Sequence, residues 1–393
     1  MLEMFRPDRE LPIINMRIIR EFWLPVLLYL VFLSGYQIWK ECTLPVSEIG
    51  QNKIVLIPTR STFSSVAQQL ETEGLIKSKR TFYILAWLKD ATTRIKAGEY
   101  ELSPTQTPIE ILDYLVQGKI RQYMVTIPEG YNLFQIDGLL ANAKLISSDS
   151  FLNVARDKNI LRTLGIKADS AEGYVYPDTY QLTKDATARE MLRTFVNHFR
   201  EVWNSEEFGR RTEEIGVQIH DIVTIASIVE KEAMRSRERP LIACVFWNRL
   251  KKNMPLQADP TVHYGILVET KVKKRRLRWK DLRKRTPYNT YVNRGLPKGP
   301  ISNPGKESIR ATLYPSKKDY LFFVSRNNGT HCFSRTLAEH NRAVNQYQRR
   351  RKYRPIKNTL TNSAQTTDVK PEKHTQDDPK PGPQDLQAGE SLK

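Results

Sequence analysis

The hydrophobic pattern begins with a long apolar stretch near the start of the 393-residue chain. From Phe22 to Trp39 no side chain is charged, and aromatic residues stand at both ends. This length is at the lower limit of the roughly 17 to 25 residues that cross a bilayer, and aromatic ends are typical of the membrane interface. We therefore predict a single transmembrane helix at residues 22–39.

The charges that flank this stretch predict its orientation. Four arginines precede it, whereas only Lys40 follows it closely. Because positive charges stay on the cytoplasmic side, we expect residues 1–21 in the cytoplasm, a linker at 40–50 and the rest of the chain outside. A cleaved signal peptide is a weaker alternative, since Ser34 to Trp39 lacks the small residues of a cleavage site. A buried core helix is the other alternative.

Residues 51–126 alternate strand-like and helix-like patterns. Phe63, Val66 and Leu70 recur at helical spacing, and Gly74 is a natural helix end. The predicted elements are strands at 53–58 and 96–102 and helices at 62–73, 80–89 and 108–118. This order predicts a small α+β module.

The region from 127 to 348 predicts a larger mixed α/β domain. It contains an aromatic segment at 171–180, which predicts either a loop that stacks on a ligand or a loop that packs against the core.

Residues 349–393 are basic at first and then rich in Pro, Gln, Thr and Asp. Because this end has almost no large apolar residues, we predict a disordered tail there.

Two acids stand at the border of an apolar helix between Asp221 and Ala233. Apolar residues at helical spacing form one predicted buried stripe, and Glu230 and Glu232 flank it on its two sides. Glu232 lies beside Ile225 and Ile228, where poor hydration would raise its pKa and favour a general acid. The alternative is that both acids form surface ion pairs with nearby Lys and Arg.

Composition limits the classes of partner and site. The chain has 62 Lys and Arg against 43 Asp and Glu, and its formal net charge of +19 favours an anionic partner. Cys42, Cys244 and Cys332 are odd in number and lack Cys-x-x-Cys spacing, and the histidines are scattered. We therefore predict no disulfide framework, no metal site and no cofactor.

Several separated motifs occur in an order that is typical of one enzyme family. They are Ile127–Gly130, Glu172–Tyr180, Ala226–Glu232, Glu238–Pro240, Val245–Leu250, Leu256–Val262, Pro287–Tyr291, Gly295–Pro297 and Asn303–Gly305. With these motifs, residues 45–348 resemble the MltG (YceG-like) family of endolytic peptidoglycan transglycosylases. The resemblance implies a LysM-like module at 51–126 and a YceG-like catalytic domain at 127–348. The expected fold class is thus α+β, with the transmembrane helix before both domains and the tail after them.

The resemblance also implies an activity and a place of action. The enzyme would cleave the β-1,4 bond between N-acetylmuramic acid and N-acetylglucosamine inside nascent strands, leave 1,6-anhydro ends and terminate glycan elongation. Its partners would be peptidoglycan strands and peptidoglycan synthases at the bacterial inner membrane, with the catalytic domain outside. A non-catalytic peptidoglycan-binding scaffold of the cell envelope is the alternative function.

The family's catalytic acid, the second glutamate of Glu-Lys-Glu, corresponds to Glu232. The C6 hydroxyl of muramic acid can close on C1, so a second catalytic carboxylate is not required. Gln257, Asp259, Tyr288 and Asn289 are candidates for sugar contacts, because amides, carboxylates and tyrosines suit hydroxyl and N-acetyl groups. Asp259 and Asn289 lie in turn-prone pairs, so shaping a turn is an equal alternative.

A basic insert at Lys271–Arg285 departs from the usual pattern of the family. It predicts either a solvated loop or a contact with acidic stem peptides or anionic lipid headgroups. Its charge also fits nucleic acid. The predicted exterior location and the lack of a nucleic-acid-binding motif argue against that partner, and we expect none.

Overall fold

The computed structural model describes residues 23–349, apart from the side chain of residue 206. The predicted cytoplasmic segment and the predicted tail beyond residue 349 lie outside the described residues.

The strands are β1 Lys53–Ile57, β2 Gly98–Leu102, β3 Tyr123–Thr126, β4 Thr179–Leu182, β5 Phe322–Ser325 and β6 His331–Ser334. The helices up to the last third are α1 Leu24–Thr43, α2 Phe63–Thr72, α3 Lys79–Leu88, α4 Pro108–Gln117, α5 Leu133–Asn142, α6 Ser150–Val154, α7 Lys158–Thr163, α8 Ala188–Trp203 and α9 Glu206–Ile215. The remaining helices are α10 Ile219–Glu232, α11 Arg239–Lys251, α12 Asp259–Thr270, α13 Trp279–Leu282, α14 Lys306–Leu313 and α15 Leu337–Val344, with short turns at Ser236–Glu238 and Asn345–Arg349.

The strands of residues 23–349 form three separate two-stranded sheets. All three are antiparallel: β1 pairs with β2, β3 with β4, and β5 with β6. A two-stranded sheet is not stable alone in water, so each must be covered by helices. The architecture is accordingly mixed α/β, with helices supplying most of the core.

Helix α1 differs from the predicted transmembrane segment. It is apolar only from Leu24 to Leu33, and its second half includes Lys40 and Glu41. Its last turn packs on the following module, where Cys42 is buried. Among the helices of the described residues, none combines the length and the apolar character needed to cross a membrane. The predicted transmembrane helix is therefore wrong, and the single-pass placement derived from it loses its basis.

The first hydrophobic core joins β1 and β2 to helices α2, α3 and α4. Each helix starts at a side chain that accepts from its first turn: Thr62 from Ser65, Ser78 from Thr81, and Thr107 from Glu110. The predicted stripe on α2 is buried, as its spacing requires. The elements predicted for residues 51–126 are present within two residues of their predicted ends.

The second core lies between β3, β4 and helices α5 to α8, and it includes one face of α10. The tyrosines of the aromatic segment, Tyr174, Tyr176 and Tyr180, are at most 9% exposed. The hydroxyl of Tyr174 bonds to Nδ1 of His220 at 2.9 Å. This segment therefore packs against the core rather than standing open as a stacking platform.

The middle of helix α10, residues 222–229, is buried on all sides, whereas the sequence predicts only one buried stripe. Ile222 and Val223 belong to the second core, whereas Ile225 and Ile228 belong to a third core with α11, α12 and the β5–β6 hairpin. Every side chain from residue 222 to 229 is buried. A helix between two cores needs apolar or satisfied residues around its whole circumference, so both faces are used.

Candidate active site

Helix α10 ends at Glu232, where the chain turns into an extended conformation. Ala233 has a ψ of 114°, and its N–H donates to the carbonyl oxygen of Val229 at 2.9 Å. The two acids of the helix thus stand in its last turn. Although they are only two residues apart, their surroundings differ.

Glu230 is held by the fold. Its side chain is 7% exposed, and it accepts from the guanidinium group of Arg239 at 3.2 Å and from the N–H of Gly305 at 3.1 Å. Arg239 also lies 3.6 Å from the carboxylate of Glu129. Because its oxygens are paired with a cation and a backbone donor, Glu230 connects the end of α10 to the starts of α11 and α14.

Glu232 makes no hydrogen bond or ion pair with the residues that the structure describes, and its side chain is partly buried. Burial, helped by the negative charge of Asp259, raises the pKa of Glu232 to about 7. A carboxyl group with this pKa is protonated about half of the time at neutral pH, as a general acid must be. The predicted rise in pKa and its predicted cause agree with the structure.

The Leu256–Val262 motif is attached to the loop that contains Thr290. The N–H of Gln257 donates to the carbonyl oxygen of Thr290 at 3.1 Å, and the N–H of Ala258 donates to its Oγ1 at 3.0 Å. Gln257 has a φ of 50°, in the left-handed region that residues with side chains seldom adopt. Strained backbone of this kind collects at functional sites. The side chain of Gln257 is exposed, with Oε1 at 3.4 Å from Nη1 of Arg249.

Asp259 lies at the start of α12, close enough to Glu232 to raise its pKa. The hydroxyl of Tyr291 donates to Oδ1 of Asp259 at 2.6 Å. Burial raises the pKa of Tyr291, and the hydrogen bond to Asp259 and the negative charges of Asp259 and Glu232 raise it further. These three side chains therefore form one cluster. Tyr291 was not among the predicted site residues, although it is the last residue of the Pro287–Tyr291 motif.

The other two predicted sugar contacts are less exposed than Gln257 and Asp259. Asn289 is fully buried, and its amide group donates to carbonyl oxygens of residues 281, 282 and 284. This favours the turn-shaping alternative for Asn289, because no atom of its side chain is exposed to a ligand. Tyr288 is half-buried and packs edge-to-face on Tyr264, with ring centroids 4.9 Å apart.

A buried polar group joins two of the sequence motifs, Glu172–Tyr180 and Asn303–Gly305. Oδ1 of Asn303 accepts from the N–H groups of Gly173 and Val175 at 2.9 and 3.0 Å. Its Nδ2 donates to the carbonyl oxygen of Tyr131 at 2.9 Å and to Glu172 at 3.1 Å. Burial raises the pKa of Glu172 to about 7. Glu172 also accepts from several donors of its own, so the group is structural.

Gly173 shows why this junction needs a glycine. Its φ is 87°, and a Cβ there would come within 2.6 Å of Pro300 and Val223. A side chain would therefore be strained by the positive φ and would also clash with the side chains of Pro300 and Val223.

The basic insert is partly folded and lines a cavity of about 660 Å³ beside the end of α10. Asp281 of α13 is buried and accepts from Nζ of Lys274 at 2.6 Å and from the N–H of Arg278 at 2.7 Å. Lys231, Lys273 and Arg275 also face this cavity. The insert is thus more ordered than a freely solvated loop.

Cysteine and histidine side chains have ordinary structural environments. All three cysteines are free, and Cys42 and Cys244 are buried. Nδ1 of His331 lies 2.8 Å from the carboxylate of Glu238. Within residues 23–349, no group of three or more His, Cys, Asp and Glu side chains is arranged to hold a metal ion.

Comparison with known proteins gives matches over most of the chain. The model of the YceG-like family matches residues 55–346. An endolytic murein transglycosylase of Bacillus subtilis is 34% identical over 331 residues, which cover 77% of this chain and 87% of that protein. A protein of the same name from Streptococcus pneumoniae is 28% identical over 83% of this chain, and the match spans 65% of that longer protein.

A solved structure gives a similar result. The crystal structure of a YceG-like protein from Listeria monocytogenes matches with a TM-score of 0.52 and 34% sequence identity. The match covers 75% of this chain and all of that one. The family match includes α10, the Leu256–Val262 motif and the loop of Tyr291.

Proposed function

Because the chain belongs to the YceG-like family, we propose that it is an endolytic murein transglycosylase of the bacterial cell wall. In this proposal it cuts the β-1,4 bond between N-acetylmuramic acid and N-acetylglucosamine inside glycan strands. Each cut leaves a 1,6-anhydro end.

The observation that carries the proposal is the contrast between the two acids of α10. Glu230 is paired, whereas Glu232 is unpaired, partly buried and has a pKa of about 7. A purely structural carboxyl group at this depth would be expected to have hydrogen-bond partners. An unpaired acid with a raised pKa next to polar, strained backbone is typical of a catalytic group.

The reaction takes one proton from Glu232 and returns one proton to it. Protonated Glu232 donates to the glycosidic oxygen, and positive charge develops on the muramic acid ring as the bond to C1 breaks. The C6 hydroxyl of the same sugar then bonds to C1, and the Glu232 carboxylate takes the hydroxyl proton. No water is consumed, and the acid is regenerated.

Gln257 and Asp259 are the proposed sugar contacts nearest to Glu232. Both side chains are exposed, and Tyr291 fixes the carboxylate of Asp259. Asp259 has a second effect, since its negative charge keeps Glu232 protonated to higher pH. We assign Tyr288 a more distant contact with the strand and Asn289 a structural role.

An endolytic cut predicts a particular course of digestion. Uncross-linked glycan strands should shorten to intermediate lengths early, because cuts fall inside the strands. Size-exclusion chromatography of samples taken at low conversion would measure this. Release of disaccharides alone would contradict the endolytic part, and binding without any cutting would favour the scaffold function.

We propose in addition that these cuts limit the length of growing strands and that the enzyme works with peptidoglycan synthases. This rests on the resemblance and on the chemistry, since a 1,6-anhydro end has no free C1 hydroxyl. Cross-linking in cells followed by mass spectrometry of the captured proteins would test the partnership. Absence of synthases from the captured set would contradict it.

Replacing Asp259 with asparagine should shift the pH dependence of cutting. The rate falls as pH rises through the pKa of Glu232, because the acid must be protonated. Removal of the negative charge of Asp259 lowers that pKa, so the alkaline fall in kcat should move to lower pH. The measurement is kcat between pH 5 and 9 for both proteins.

An Asp319→Asn protein is the matched control, since Asp319 is exposed and forms no ion pair within the described residues. Its profile should equal that of the unchanged chain. A profile of the Asp259→Asn protein that stayed in place or moved to higher pH would contradict the role of Asp259. A lower rate with an unmoved profile would leave Asp259 as a binding residue only.

A further inference from the structure

The cavity beside the end of α10 combines cationic and apolar walls. Lys231 borders it from α10, and Lys273, Lys274 and Arg275 border it from the basic insert. Phe134 of α5 and Leu267 of α12 supply apolar surface. Its volume of about 660 Å³ is within the range of pockets that bind small ligands.

The positive charges of this cavity are mostly not neutralised. Lys274 pairs with Asp281, but Lys273 and Arg275 form no ion pair in the part of the chain that the structure describes. Nζ of Lys231 donates only to the carbonyl oxygen of Gly130, at 3.3 Å. Burial and the charge of Lys273 lower the pKa of Lys231. Cations that repel one another in a concave site favour an anion between them.

Two residues that border the cavity are sequence neighbours of the proposed catalytic acid and of Asp259. Lys231 precedes Glu232 on α10, and Pro260 follows Asp259 on α12. In the murein strand, the acidic stem peptide starts on the muramic acid ring, which is the sugar whose bond is cut. An extended peptide spans about 3.5 Å per residue, so its first few residues reach about 10 Å from that ring.

We propose that this cavity is the subsite that binds the carboxylate groups of the stem peptide on the muramic acid being cut. This inference rests on the proposed function. A concave pocket with apolar walls suits a short acidic peptide, whose carboxylates pair with the cations and whose methyl groups meet Phe134 and Leu267. The basic insert thereby selects strands that still carry their peptides.

The test uses the full chain with Lys273→Gln and Arg275→Gln together. Both side chains are exposed and make no ion pair that the fold needs. On peptide-bearing, uncross-linked strands, kcat/KM should fall about tenfold, which corresponds to about 1.4 kcal/mol of lost binding. On the same strands after an amidase has removed the peptides, kcat/KM should change less than about twofold.

A protein with Arg276→Gln and Arg283→Gln is the matched control. It removes the same charge from the same insert, but neither residue lines the cavity. It should behave as the unchanged chain on both substrates. Equal losses on peptide-bearing and bare strands, or no loss on either, would overturn the inference.

A second measurement separates the peptide from a lipid surface. Binding to vesicles of phosphatidylglycerol should be the same for the two double variants. A fall in vesicle binding confined to the cavity variant, with cutting unchanged, would assign the cations to lipid and overturn the inference. Failure of the unchanged chain to cut any strand would instead contradict the proposed function, so the two failures are distinguishable.

Discussion

Replacement of Glu232 with glutamine should lower the rate of strand cutting by about 10³-fold, within the 10²- to 10⁴-fold contribution of a general acid. Glutamine keeps the size of the side chain but cannot give a proton to the glycosidic oxygen. It also cannot take the proton of the C6 hydroxyl. Binding of strands should change little, so the loss should appear in kcat rather than in KM. Steady-state kinetics on purified strands would measure both.

This loss should not come from unfolding. Burial raises the pKa of Glu232 to about 7, so the folded state disfavours the charged carboxylate at higher pH. A neutral glutamine removes that cost, and the free energy of unfolding at pH 8 should stay the same or rise. Glu213→Gln is the control, because Glu213 is exposed. More than a tenth of the original kcat in the Glu232→Gln protein would refute the catalytic role.

Replacement of Asn303 with alanine should lower the free energy of unfolding by about 4 kcal/mol. The N–H groups of Gly173 and Val175 would lose their buried acceptor, and Glu172 would lose a donor. Each unpaired buried group costs about 1 to 3 kcal/mol, and losses above 4 kcal/mol are rare for single substitutions. Urea unfolding, followed by the fluorescence of buried Trp203, would measure the change.

Asn153→Ala is the comparison for this experiment, because Asn153 lies exposed on α6. It should change stability by no more than about 0.5 kcal/mol. A loss below about 1 kcal/mol for Asn303→Ala would mean that water replaces its four hydrogen bonds. The motifs Glu172–Tyr180 and Asn303–Gly305 would then not depend on each other.

The sequence predicts local features of this protein better than long-range ones. The spacing of apolar residues and the capping residues of α2, α3 and α4 lie within single segments, and these helices agree with prediction. The transmembrane prediction is wrong because absence of charge is not enough: the stretch is apolar only to Leu33, and Ser34, Gly35 and Gln37 follow. The positions of charged residues do not predict that the last turn of α1 packs on the module at residues 51–126.

In the candidate site, too, the sequence predicts local features better than long-range contacts. Helical spacing placed both Glu230 and Glu232 at the border of burial, but it could not tell them apart. The partners of Glu230 are nine and 75 residues away in sequence, at Arg239 and Gly305. Likewise, Tyr291 reaches Asp259 across 32 residues. Only the folded chain shows which acid is paired and which remains available.

The most direct test is mass analysis of the new ends after the purified chain has digested defined glycan strands. The account predicts 1,6-anhydromuramic acid at every new end, with no mass of water added, and about 10³-fold slower formation of new ends with the Glu232→Gln protein. Reducing ends that carry the mass of water would show that water rather than the C6 hydroxyl attacks C1. That result would contradict the transglycosylase account and would require a hydrolytic role for a second group near Glu232.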